Sequence, residues 1–357
     1  MKIACIADIH FGALDSNKLY HELDKIFLDY LRNNQLDMII ICGDLYHSRI
    51  SFNSNTARLS IYFIYNLISI AENTGIKYIR IISGTLSHDN NQLENLKVFE
   101  NSNIDFKIIN SVYSETIENE KILYLPEEYV TPDYYNNYFN KKYDYIFGHG
   151  LVTETAFEST KQNSEITMKR SIVFDSELLC KICNKYIIFG HIHKSQNIKN
   201  KIYYTGSFSR WVYGEEDPKG FLIIDDINIS FIENTLAEKY DTLIIMNLSD
   251  YESAEELINY CKSFCVNHLR IKIFNDNSPM INILSSYYST RKEYSLIITT
   301  KEHELSLKKM DKNNELMEKY DFIFSNSIPK ISKISRFISV RDKEDVSNDF
   351  ISELLGG

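Results

Sequence analysis

Five short apolar runs in this chain end in aspartate or histidine. Asp8 and His10 close residues 2–7, Gly43-Asp44 closes 38–42, and Gly84 to Asp89 close 78–83. Gly148-His149 closes 143–147, and Gly190-His191-Ile192-His193 closes 186–189. Six of the nine histidines (10, 47, 88, 149, 191 and 193) sit in or beside these ends, while His21, His268 and His303 do not. A single histidine at a strand end reads as a structural hydrogen-bonding group. Six of them beside Asp8 and Asp44 read otherwise. Grouped carboxylates repel one another unless a cation neutralises them, and an imidazole-plus-carboxylate set suits Mn, Fe or Zn better than Ca. A mixed set of about seven donors exceeds the four of a tetrahedral ion and fits two ions about 3.5–4 Å apart that share a carboxylate.

Those side chains can converge only if the runs are strands. Each run is short, Ile-rich and bounded by turn residues, which fits a buried strand. Asp8 and His10 are two apart and so project to the same side. Between the runs, residues 17–33 and 57–73 carry apolar residues at three- and four-residue steps and read as helices. Strand alternating with helix predicts an α/β layered domain, in which sites gather at the carboxyl ends of strands. From about residue 202 the character changes. Residues 201–205, 220–225 and 227–232 read as antiparallel strands closing this domain. Strands at 241–246, 269–274 and 294–299 with a helix at 254–263 read as a smaller α+β unit. A charged, helical tail follows, basic over 330–343. The expected domains are 1–238, 239–303 and 304–357.

Composition narrows the partners. With 44% hydrophobic and 25% charged residues, the 357-residue chain is neither disordered nor collagen-like. Thirty-nine Lys plus Arg against 49 Asp plus Glu give a net charge of −10. A nucleic acid could therefore be gripped only locally, not by a broad positive field. Residues 1–10 do not read as a secretory leader, since Asp8 and His10 interrupt the apolar run, and residues 61–71 are too few to span a bilayer. The chain reads as cytosolic, with no membrane association. Cys180-Lys181-Ile182-Cys183 reads either as half of a structural zinc site or as helix packing, and no second pair stands at zinc-finger spacing. No Gly-rich phosphate-binding loop is present, so any ATP dependence belongs to another subunit.

The series Asp8-x-His10, Gly43-Asp44-Leu45-Tyr46-His47, Ser87-His88-Asp89, Gly148-His149 and Gly190-His191-x-His193 resembles the calcineurin-like metallophosphoesterases. Gly43-Asp44-Leu45-Tyr46-His47-Ser48-Arg49 is similar to the SbcD-type nuclease branch, as is Thr205-Gly206-Ser207-Phe208-Ser209-Arg210-Trp211 followed by Lys219-Gly220-Phe221. The motifs cover roughly residues 1–235. The resemblance implies a sandwich of two mixed sheets flanked by helices, with a DNA-binding cap and a partner-docking tail after it. It implies two divalent ions, most readily Mn²⁺: Asp8, His10, Asp44 and His193 around one, and Asp44, His149 and His191 around the other. His47 and His88 would then be the non-ligand catalytic histidines, His47 orienting the phosphate and His88 steadying or protonating the leaving oxygen.

The chain departs from the family at one point. Where the signature is Gly-Asn-His-Asp, with the Asn amide as a ligand, this chain reads Gly84-Thr85-Leu86-Ser87-His88-Asp89. Ser87 is the residue expected at the asparagine position, with Thr85 and Asn90 as substitutes if the longer loop folds differently. A weaker second metal position and a need for added Mn²⁺ follow from that expectation. Arg49, Lys194 and Arg210 are the candidate substrate-phosphate contacts, with Lys199 and Lys201 beside them. Residues 330–338 place a basic residue at every third position, read as either a half-buried helix or a docking segment. The implied function is a 3′→5′ exonuclease on DNA duplex ends, with single-strand nicking as a second activity, in repair or recombination. The implied partners are DNA, an SbcC-like SMC-type ATPase and a second copy of the chain, with residues 61–71 as a dimer surface or as core. The alternatives are a small-substrate phosphodiesterase or phosphatase, and a catalytically weak DNA-binding scaffold.

Overall fold

The computed structural model describes residues 1–89, 91–128, 130, 132–156, 172–226, 228–274 and 278–299. It divides into two compact units, Met1–Thr242 with Cys265–Leu269, and Leu243–Phe264 with the residues from 270 onward. The tail expected at 304–357 lies outside the described residues.

The first unit begins with β1 (Lys2–Ile6) and α1 (Ser16–Glu22), which passes through a π-helical turn at Leu23–Leu28 into α2 (Asp29–Asn33). Next come β2 (Met38–Cys42), α3 (Asn55–Thr74), β3 (Tyr78–Ile82), β4 (Asp105–Ile109), β5 (Tyr113–Ile117) and β6 (Glu120–Leu125). The chain continues with α4 (Asn136–Phe139), β7 (Tyr143–His149), the short pair β8 (Leu151–Val152) and β9 (Val173–Phe174), and α5 (Ser176–Ile182). It ends with β10 (Cys183–Gly190), β11 (Gln196–Ile198), β12 (Ile202–Tyr204), β13 (Gly220–Asp225) and β14 (Asn228–Glu233).

Two mixed six-stranded sheets result, in the orders β14-β13-β1-β2-β3-β4 and β11-β12-β10-β7-β6-β5. The first is parallel from β1 to β4 and closed by the antiparallel pair β13 and β14. The second is parallel from β6 through β7 and β10 to β12, with antiparallel β5 and β11 at its edges. This is the α/β layering that the strand–helix alternation predicts, in the two-sheet sandwich that the family resemblance implies.

The period of two explains why the strands read as continuous apolar runs. Ala4, Ile6, Ile39, Ile41, Ile79 and Ile81 pack with Leu19, Phe27, Phe63 and Leu67 of the helices. Their neighbours Ile3, Cys5, Met38, Ile40 and Cys42 pack with Tyr124, Tyr145, Phe147 and Ile188 of the other sheet. Strands buried on both faces show no polar alternation. Helix α3 starts where the Ser54 hydroxyl accepts from the Ala57 N–H at 3.1 Å and stops at Gly75, which takes φ 82°. Its stripe Leu59, Phe63, Ile64, Leu67, Ile68 and Ala71 is spent on the core, which accounts for the apolar stretch at 61–71. Tyr62 and Tyr65 of that helix stay half-exposed.

Three strands between residues 83 and 143 have no counterpart in the expectation from sequence. The edge strands Asp105-Phe-Lys-Ile-Ile109 and Tyr113-Ser-Glu-Thr-Ile117 interleave polar residues, so their apolar signal is thin. The two cysteines of the CxxC fall on different elements, α5 and the start of β10. Cys183 is buried with its thiol against the carbonyls of Asp144 and Tyr186, at 3.4 and 3.3 Å, which favours packing over zinc.

The second unit is built on a three-stranded sheet, β15 (Tyr240–Ile245), β16 (His268–Phe274) and β17 (Tyr294–Thr299), with α6 (Ala254–Lys262) and α7 (Met280–Tyr288). Ser253 caps α6 by accepting from the Glu256 N–H, and Leu257, Ile258, Cys261, Leu284 and Tyr288 are buried.

Candidate metal centre

Beyond β1 and β2 the two chain segments go on pairing after the strands end. Asp8 N–H donates to Gly43 O at 3.1 Å, His10 N–H to Asp44 O at 3.0 Å, and Phe11 N–H to Leu45 O at 2.9 Å. This ladder holds Asp8, His10 and Asp44 side by side, all three with positive φ (49°, 53° and 52°). Non-glycine residues in that region carry a strain of about 1–3 kcal/mol each, and such strain clusters at functional sites. Gly43, at φ 85°, leaves room that a side chain would take: an added Cβ would stand 2.2 Å from His149 Nδ1.

Asp89 is the node that sets this loop. Its Oδ2 accepts from the N–H groups of Asp44 (3.0 Å) and Gly84 (2.8 Å), and its Oδ1 from that of Tyr46 (3.1 Å). Burial, and after it the Asp44 charge, push the Asp89 carboxyl up to about 7 against those three donors. The opposite sheet contributes from the ends of β7 and β10. His149 is fully buried and donates from Nδ1 to Cys42 O at 2.9 Å, which turns Nε2 toward Asp44. The His191 N–H donates to both oxygens of Asp8, at 3.1 and 3.0 Å.

Two overlapping groups of donors result. In the first, His10 Nε2 lies 3.2 Å from His193 Nε2 and 3.8 Å from Asp8 Oδ1, with Asp44 Oδ2 at 3.7 Å. In the second, His149 Nε2 lies 3.3 Å from Asp44 Oδ2 and 3.8 Å from Glu127 Oε2, which is 3.5 Å from His191 Nδ1. Asp44 thus stands between the groups. Asp8, His10 and His193 form one constellation able to hold a cation, and Glu127, His149 and His191 another.

One feature of the donors fits metal ions. The ring nitrogens of His10 and His193 face each other, Nε2 to Nε2 at 3.2 Å, which suits lone pairs aimed at a common cation. The electrostatics agree. Burial first, with the neighbouring histidines, drives His10 well below its usual value, so it is the neutral imidazole that a metal needs. Burial also raises Asp8. Burial would raise Asp44 too, but His149 and His88 together hold it well below the usual carboxylate range. Burial works against charge on His149 as well, yet Asp44, Asp8 and Glu127 outweigh it and lift that imidazole well above its usual value. The pocket draws positive charge, which protons on imidazole or divalent ions can supply.

His193 has support of its own. Its Nδ1 is 2.5 Å from Glu215 Oε1, and Lys219, 1% exposed, lies 3.2 Å from Glu215 Oε2 and donates to His193 O at 2.9 Å. A carboxylate behind a ligating histidine fixes its tautomer and ring orientation. Trp211, the one tryptophan of the chain, stands edge-on with its ring centroid 4.7 Å from His10 and 5.0 Å from His193.

The other expected residues divide. His88 donates from Nδ1 to Asp44 Oδ2 at 2.8 Å and stacks with His47 at 5.6 Å, and both flank His10. Ser87 is not at the site: it lies exposed on a turn in which the His88 and Asp89 N–H groups both bond to Thr85 O. The two extra residues of the loop fall after Thr85, so Thr85 takes the position next to Gly84. Its N–H donates to Asp44 Oδ1 at 2.6 Å and its hydroxyl to Glu127 Oε2 at 3.0 Å.

Arg210 is not available to a substrate either. It is buried, and its guanidinium is spent on the carbonyls of Ala237, Glu238 and Asp217 at 2.7–3.2 Å. Lys194 is exposed and 3.3 Å from Asp217, Lys199 pairs with Glu154 and Glu177, and Lys201 bonds Cys180 O. Arg49 is exposed at the rim of a cavity of about 220 Å³ shared with Tyr46, Ile50, Phe52 and Gln92. Glu127 is the site residue absent from the expectation drawn from sequence. Its signal was present: Ile122-Leu-Tyr-Leu125 is an apolar run followed by a side chain able to bind a metal, as at the other five ends.

No helix among the described residues is long and apolar enough to cross a membrane. No curated protein matches the chain. Among solved structures it is similar to a hypothetical protein from Thermus thermophilus, at 11% identity over 61% of this chain and 81% of that one, with a TM-score of 0.34. It is also similar to the cold-active protein-tyrosine phosphatase of a psychrophile Shewanella species, at 11% identity over 65% and 80%, with a TM-score of 0.31. Residues 1–195 match the sequence profile of the calcineurin-like phosphoesterases.

Proposed function

The chain belongs to the calcineurin-like phosphoesterases, and on that premise we propose that it is a DNA phosphodiesterase using two divalent ions, most readily Mn²⁺. In this reading it degrades duplex ends in the 3′→5′ direction, nicks single strands, and serves as the nuclease subunit beside an SbcC-like SMC-type ATPase. The observation that carries the reading is the pair of donor groups sharing Asp44, with His47 and His88 on the flank of His10. Two bound divalent ions would supply charge neutralisation and an activated water for phosphoester hydrolysis.

The chain's own residues do the rest. Asp89 and the paired loops hold Asp44 in place, and the Cys42 carbonyl fixes the His149 tautomer. His88, partly open to solvent, can present a proton to a leaving oxygen, and His47 beside it can orient the phosphate. The DNA level of the reading is supported by the run Gly43 to Arg49 and by the second unit after residue 242, which a minimal phosphatase would not need. A homodimer is part of the proposal, with Tyr62 and Tyr65 of α3 as its exposed apolar contacts.

The test is nucleotide release from 3′-labelled linear duplex DNA by the full chain, with Mn²⁺ and with EDTA, beside hydrolysis of bis-p-nitrophenyl phosphate. Cutting that EDTA abolishes, and that His88→Ala loses while retaining DNA binding, is expected. Diester hydrolysis without DNA cutting would move the assignment to a small-substrate phosphodiesterase. Neither activity, with DNA binding intact, would make the chain a scaffold.

A further inference from the structure

We infer that Glu127 is a protein ligand of the second metal position, in the place that the family signature gives to an asparagine amide. This rests on the two-metal reading above and deepens it. The carboxylate arrives from just beyond β6, on the sheet that also supplies His149 and His191. Its Oε2 lies 3.5 Å from His191 Nδ1, 3.8 Å from His149 Nε2 and 3.0 Å from Thr85 Oγ1, and its side chain is fully buried. Donors that each sit about 2.0–2.2 Å from one divalent ion stand about 3–4 Å from each other, which these separations match.

Charge gives a second reason. A buried carboxylate is costly unless a positive partner balances it. The imidazoles that face Glu127 are His149 and His191, and a metal requires both of them neutral. Once an ion is held there, the ion itself balances Glu127. Thr85 has a different task from ligation. Its N–H is engaged by Asp44, and its hydroxyl, which stands among the donors 3.4 Å from Asp44 Oδ2 and 3.5 Å from His149 Nε2, donates to Glu127 Oε2 and so holds that oxygen toward the metal position. The lost amide is replaced from the opposite sheet.

The consequence reverses the expectation drawn from Ser87. A carboxylate in place of a neutral amide puts three carboxylates (Asp8, Asp44 and Glu127) against the charge of two divalent ions, and the second ion is held more tightly, not less.

The test counts metal. The full chain, stripped with EDTA and desalted, is titrated with Mn²⁺ by calorimetry, and bound metal is measured by elemental analysis. Trp211 fluorescence follows the first position, since its ring lies against His10 and His193. The wild type should bind two Mn²⁺ per chain. Glu127→Ala should keep one, with wild-type quenching of Trp211, and weaken the other by more than the about 10–100-fold typical of outer-shell partners. Glu127→Gln should bind two, the second more weakly than wild type. A Glu127→Ala chain binding two ions with unchanged affinity would overturn the inference and leave the two-metal reading standing. A wild type that binds no Mn²⁺ would overturn that reading and the inference with it. Should the alanine variant fail to fold in EDTA, the glutamine variant decides, and an unchanged second affinity there overturns the inference.

Discussion

Asp89 touches no expected ligand atom, yet its three backbone bonds decide where Asp44 stands. In Asp89→Ala, the N–H groups of Asp44, Tyr46 and Gly84 lose their acceptor inside the fold. Each orphaned buried donor costs about 1–3 kcal/mol, and water entering the vacated space recovers part, so about 3–6 kcal/mol is expected in all. That is much of the 5–15 kcal/mol typical of a whole domain. Asp89→Asn differs in a way the geometry sets. Its carbonyl can occupy the Oδ2 position and keep Asp44 and Gly84, while its amide meets the Tyr46 N–H donor to donor. One bond is lost, and the repulsion from Asp44 is relieved, so the cost falls to about 1 kcal/mol. Urea unfolding in EDTA measures both variants without metal stabilisation, and Mn²⁺ titration then reports the position of Asp44. An Asp89→Ala chain within about 1 kcal/mol of wild type, or an Asn variant as unstable as the alanine one, would refute the reasoning.

Gly190→Ala should place a Cβ 2.1 Å from Cys42 O and 2.8 Å from His149 Nδ1, destabilising the fold by about 1–3 kcal/mol and lowering bound Mn²⁺. Wild-type melting and metal content in that variant would show that the two strand ends can part without cost. Arg80, fully buried in β3, grips Glu115 of β5 through Nε at 2.6 Å and Nη2 at 3.1 Å, and Arg80→Met should cost about 3–5 kcal/mol by leaving Glu115 short of its partner. Burial would raise Glu115, but Arg80 and Lys107 hold it below its usual value. Its stabilising contribution is therefore present above the unfolded glutamate pKa and lost as pH falls through the lower folded one, and the acid limb of a stability–pH curve should flatten in Arg80→Met.

The fold was legible where burial on both faces left unbroken apolar runs, as in β1, β2, β3, β7 and β10. The donors at those ends were legible for the same reason, since Asp and His stand out against Ile and Phe. Glu127 was overlooked because Pro126-Glu127-Glu128 looks like an ordinary surface turn, and only the packing of the two sheets together buries it. Ser87 was misplaced by counting back from His88, when the turn bonds to Thr85 O put the extra residues on the other side. Arg210 looked like a phosphate contact because a guanidinium reads as exposed, and nothing local in the sequence reveals carbonyls 7 to 28 residues away that consume it.

The donors are divided between the two sheets, and the division has a consequence for how the protein comes into being. Asp8, His10 and Asp44 belong to one sheet, while Glu127, His149, His191 and His193 belong to the other. His10 and His193 are 183 residues apart, as are Asp8 and His191. At about 5–20 residues per second, about 10–40 s separate the synthesis of the first and last of these residues. Through that interval the donor set stays incomplete, because His191 and His193 are made last. Such distant contacts also form late in folding, since long loops must close before they are rewarded. The donor set is therefore completed in one step, with the closure of the sandwich, and a nascent or half-folded chain does not present it.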